Sequence, residues 1–179
     1  MFAQGGAFGM EKTVDPAHEI GENVTITERS QLLSITPEQA KKIKSLRIEN
    51  QLLDREVGRF LSSLNRPDSL CFYKCRNEAS VLRNVEYSNV VRFLDCALTS
   101  EEAIWHLAPI ESWEYVEILD LTQNDIGIEP EPFFDWLKKA IWGTVRIDKI
   151  VLSDNKFTDD DKREMLHYFE TMGLPQIVM

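Results

Sequence analysis

The sequence predicts an α/β fold in which short parallel strands form one layer and helices form the other. Three observations predict it. A short apolar alternation, followed by a cysteine or amide residue and one more apolar residue, recurs along the chain and leads into helical patterns. Helix-start signals stand between the copies. The chain has 179 residues, 43% hydrophobic and 28% charged, which suits one folded domain and excludes a wholly disordered, collagenous or disulfide-stapled chain.

The clearest copies run from Val116 to Ile126 and from Ile147 to Phe157. Both fit apolar-x-x-L-x-L-x-x-N-x-apolar, with Ile150 standing for the first leucine in the second. Upstream, Val91-x-Phe93-x-x-Cys96-x-Leu98 carries cysteine at the amide position. Leu46-x-Ile48-x-x-Gln51-x-Leu53 fits more loosely, and Leu70-x-Phe72-x-x-Cys75 breaks off where Asn77 replaces the last apolar residue. These segments resemble the leucine-rich repeat, in its ribonuclease-inhibitor-like subtype with a helix in each unit, over about residues 36–170. The resemblance implies a short solenoid of about five irregular repeats. Its parallel strands would lie on the concave side and its helices on the convex side.

Each element has a local reason. In a strand alternate side chains share a face, so Leu119 and Leu121 point inward while Asp120 and Thr122 point out. Gln51, Cys75, Cys96, Asn124 and Asn155 would form a ladder that satisfies backbone groups where the chain leaves each strand. That role accounts for two of the three cysteines without redox chemistry. Cys71 falls on an outward position, on a different face from Cys75, so the pair does not make a zinc site. Thr36-Pro37-Glu38-Gln39 and Thr99-Ser100-Glu101-Glu102 read as capping boxes. Asp159, Asp160 and Asp161 after Thr158 suit a first helical turn, and the stretch lacks the glycine and glutamate of a calcium loop. Val57, Phe60, Leu61 and Leu64, then Ala103, Ile104 and Leu107, then Phe134, Leu137 and Ile141, then Met165, Leu166 and Phe169 give each helix an apolar stripe.

The expected organisation is an extended N-terminal tail, residues 1–35, before a repeat domain, residues 36–179. The tail has glycines at 5, 6, 9 and 21 and no sustained period. Val24–Thr27 could form a short strand. Phe2, Phe8, Met10, Val14 and Ile20 are more apolar residues than a solvating tail needs, so a partner is expected to order this segment.

Charge is polarised. Residues 1–35 hold two bases and five acids, residues 36–92 eleven bases and seven acids, and residues 93–179 seven bases and eighteen acids. A net charge of −10 argues against nucleic acid as the main partner, and the acidic end calls for a partner with a basic surface. No run of about 18 apolar residues is present, so no membrane span is expected. Three cysteines, an odd count, favour a reducing, intracellular setting, cytoplasmic by default, with import into mitochondria by an internal signal left open.

Nothing points to catalysis. His18, His106 and His167 are scattered outside any catalytic motif, and no phosphate-loop, dinucleotide, nucleophile-elbow or zinc-helix motif occurs. No enzyme activity, cofactor or metal is expected. The candidate site is a protein-binding face of outward strand positions: Arg47, Glu49, Tyr73, Arg92, Leu94, Asp120, Thr122 and Ser153. Asp95, Gln123 and Asp154 extend the rows, together with Lys74. Cys71 and Val151 occupy outward positions of the same strands. The rows mix both charges with an aromatic and apolar groups, as protein-binding surfaces do. Trp105, Trp113, Trp136 and Trp142 fall in two successive helical stretches, and at least one should be exposed. The expected function is a non-catalytic protein–protein interaction subunit or adaptor, a structural component of a larger assembly. The alternative is a regulatory or substrate-recognition leucine-rich-repeat module, similar to ubiquitin-ligase adaptors or tropomodulin-like actin caps.

Overall fold

Alternating apolar residues build one sheet of seven strands, every neighbouring pair parallel, in the computed structural model, which describes residues 21–173 and 175–179. The strands of this sheet are β1 (Asn23–Ile26), β2 (Ser45–Glu49), β4 (Ser69–Tyr73), β6 (Val90–Leu94), β7 (Tyr115–Asp120), β8 (Arg146–Val151) and β9 (Gln176–Val178). They stand side by side in chain order. β3 (Leu52–Leu53) and β5 (Arg76–Asn77) pair separately, also in parallel. Parallel neighbours need a crossover between them. The crossovers are the helices α1 (Arg29–Ser34), α2 (Pro37–Ala40), α3 (Arg55–Leu61), α4 (Ser100–Leu107), α5 (Pro130–Trp142) and α6 (Asp159–Met172), with 3-10 turns at Val81–Asn84 and Ala108–Ser112. The fold is α/β, as expected.

The register is that of the recurring pattern. Leu46, Leu70, Val91, Leu119 and Ile150, the first-leucine position of each copy, are successive partners across the sheet. Val24 extends this row at one edge and Ile177 at the other. The five central side chains are fully buried, whereas the two at the edges are half-buried. Leu121 and Leu152 are buried as well, while Asp120, Thr122 and Ser153 are half-exposed, so the inward and outward assignments hold. Phe72 and Phe93 are paired across β4 and β6 and stack at 4.7 Å.

The ladder forms as well. Gln51, Cys75, Cys96, Asn124 and Asn155 each donate to a carbonyl of the preceding unit: Thr27, Ile48, Phe72, Phe93 and Leu121, over 2.7–3.4 Å. The Cys96 thiol is pushed up by its contact with Cys75 and by burial, which keeps it a neutral donor. Just before each ladder residue, Asn50, Lys74, Asp95, Gln123 and Asp154 adopt left-handed backbone, φ 52–60°. The first four of these residues donate their amides to carbonyls of the next unit.

Helix starts follow the capping signals. Thr36, Thr99 and Thr158 each accept from the third residue of their helix, whose side chain bonds back. The helical stripes are buried at Val57, Phe60 and Leu61, at Ala103 and Leu107, at Phe134 and Leu137, and at Met165 and Phe169. Trp105 and Trp142 are exposed, while Trp113 and Trp136 are buried.

The N-terminal boundary is corrected. Residues 23–35, expected in the tail, carry β1 and α1, and Ile26 and Leu32 are buried in the shared core. The physical reason is that four residues of strand suffice once β2 offers a complete parallel partner. Of the tail expected to be ordered by a partner, residues 1–20 lie outside the described residues. Among the described residues no helix is long and apolar enough to cross a membrane.

Candidate functional site

Strand pairing gathers the outward residues into rows. Arg47, Cys71, Arg92, Asp120 and Val151 are successive partners, and Val178 of β9 lengthens the row. Beside it Glu49, Tyr73 and Leu94 are partners, and Thr122 and Ser153 continue in the next two units through the amides of Asp95 and Gln123. All but Cys71 are half-buried, as expected of side chains standing on an uncovered sheet face.

Charges on this face compensate locally. Arg47 pairs with Glu49, donates to Cys71 Sγ at 3.3 Å and lies 4.8 Å from the Tyr73 ring centroid. The Glu49 contact, against a smaller penalty from burial, holds Arg47 more firmly protonated than usual. Arg92 stands 3.9 Å from Asp120, and Asp120 Oδ1 accepts from the Thr122 amide at 3.1 Å and hydroxyl at 2.6 Å. Lys74 lies 3.6 Å from Asp95 and 5.2 Å from the Tyr73 centroid. Asp95, Gln123 and Asp154 sit at the exposed rim in the left-handed turns. The expected site residues are thus brought together, with Tyr73 flanked by the cations of Arg47 and Lys74.

Cys71 points outward, as expected, but is only 7% exposed, because Arg47 and Arg92 on the flanking strands crowd it. Burial pushes its thiol up, against the pull of the two guanidinium groups. All three cysteines are free and buried. Among the described residues, no three acidic, histidine or cysteine side chains converge as a metal would require.

His106 is a feature with no signal in its spacing. Its ring is fully buried on α4, 5.4 Å from Phe93 and 4.9 Å from Trp105, and neither nitrogen has a hydrogen-bond partner among the described residues. Burial lowers its pKa from 6.5 to about 4, opposed weakly by Glu102. The unfolded chain therefore takes up the proton first, and stability is lost as pH falls from 6.5 towards about 4. The loss should approach about 3 kcal/mol. Urea melts across that range should show it, and His106→Leu should flatten the slope; an unchanged slope would remove the assignment.

Comparison with protein-family models finds no match for the chain, and comparison with curated proteins finds none.

Proposed function

We propose that the protein is a non-catalytic interaction subunit, a short leucine-rich-repeat solenoid that binds a protein partner on its outward, concave sheet face. The observation that carries this reading is the in-register mixed row of Arg47, Arg92 and Asp120 beside Glu49, Tyr73 and Leu94. Locally paired charges around an aromatic residue suit a surface that is covered by another protein, because few of them are stranded when water leaves. The spacing of the ladder residues and their common bonding pattern support the repeat reading. Eighteen acids against seven bases in residues 93–179 favour a partner with a basic surface.

A photo-crosslinking residue in place of Tyr73 or Thr122 should capture a protein from native extract, in competition with untagged chain. The same residue at Arg163, exposed on α6, should not. Crosslinking at position 163 alone would overturn the reading. With the captured partner in hand, Asp95→Lys together with Asp154→Lys should slow association on the order of tenfold and weaken its salt dependence. Both residues are exposed at the rim, so the double variant should keep its fold.

A further inference from the structure

The helix-bearing side carries a groove of about 420 Å³ between α3 and the turn at Val81–Asn84, ending at Trp105 of α4. Arg55, Arg59 and Arg83 line it, all exposed, and none of the three forms an ion pair among the described residues. Of the acids that line it, Asp54 is already engaged. Burial works to raise its pKa, but Arg29 at 2.7 Å and the amides of Glu56 and Val57 hold its carboxyl below the usual range. Glu78 is left as the counter-charge, so the groove is net positive in a chain of charge −10.

A further feature points to a ligand. Trp105 is 39% exposed at the end of the groove, with the Arg83 guanidinium 6.0 Å from its ring centroid. An exposed tryptophan beside an arginine is a residue pair enriched where binding energy concentrates.

We propose that this groove binds an acidic peptide segment of a protein partner. Its carboxylates meet Arg55, Arg59 and Arg83, and an apolar side chain packs on Trp105. Glu78 and the strongly negative remainder of the chain oppose a long polyphosphate, which makes a short acidic segment the better fit. This site is separate from the sheet face and recruits a second partner.

The test is fluorescence anisotropy of the full chain with a labelled peptide, Glu-Asp-Leu-Trp-Asp-Glu. Saturable binding that weakens with added salt is expected. Arg59→Glu with Arg83→Glu should weaken it on the order of tenfold. Trp105→Ser should weaken it too, and Tyr73→Ala on the other face should leave it unchanged. Circular dichroism establishes that the surface variants keep their fold. Equal binding to the charge-reversed variant, or equal binding of the peptide with every acid replaced by its amide, would overturn the proposal. So would tighter binding of a single-stranded RNA of equal charge that is lost on the same reversal.

Discussion

Asn124→Ala should destabilise the protein by about 3–5 kcal/mol, because this one buried side chain serves both sides of a unit boundary. Its Oδ1 accepts from the amides of Cys96 and Leu98, each at 3.1 Å, and its Nδ2 donates to the carbonyls of Phe93 and Leu121, each at 2.8 Å. Asn124 is 3% exposed, so water cannot replace the lost partners. Alanine strands two buried amides of the preceding unit and withdraws a donor from its strand. Asn124→Cys tests the account from within the molecule, since cysteine fills the same position at Cys75 and Cys96 and donates to the equivalent carbonyls. It should recover part of the loss through the donor, but a thiol is a poor acceptor for two amides. Urea unfolding with an unchanged denaturant slope measures both. A loss of less than about 1 kcal/mol for the alanine variant would mean that the ladder contributes little.

Gly127→Ala should cost about 2–4 kcal/mol. Gly127 follows Ile126, the last apolar residue of its copy, with φ +105°, where L side chains are strained. A Cβ there would stand 2.6 Å from the Phe157 amide nitrogen and 2.9 Å from the Lys156 carbonyl carbon. Those atoms belong to the backbone of the next unit, and the Lys156 amide is bonded to the Ile126 carbonyl at 2.8 Å, so they cannot swing away. Gly21→Ala is the control: its Cβ would meet nothing within 4 Å. Thermal melts of the two variants should separate clearly, and equal midpoints would show that the two units are not locked together at this point.

How legible the molecule was in its sequence differs from element to element. The strands around Leu46, Leu70, Val91, Leu119 and Ile150 were legible because alternation is a local pattern, and so were the three threonine caps. β9 was not: three residues at the end of the chain show no period, and they become a strand only because β8 offers them a parallel edge. β1 was partly visible at Val24–Thr27 and α1 was not; both fall within the expected tail, because the partner strand β2 lies outside it. Of the candidate face, the identity of the outward residues was readable. The crowding of Cys71 by Arg47 and Arg92, the solitary burial of His106, and the close approach at Gly127 were not, because each depends on a neighbour more than twenty residues away or on the fit between layers.

By itself, the sequence determined the α/β class, the inward and outward sides of the copied strands, the ladder residues and the three threonine-capped helix starts, all of which follow from period and capping within about a dozen residues. Tertiary structure alone decided the edges of the sheet, the pairing of Arg92 with Asp120, and the gathering of Arg55, Arg59 and Arg83 around Trp105. The physical reason is range. Dihedral preferences and periodicity act along the chain, whereas the charge partner and the exposure of a side chain are set by which units stand beside one another.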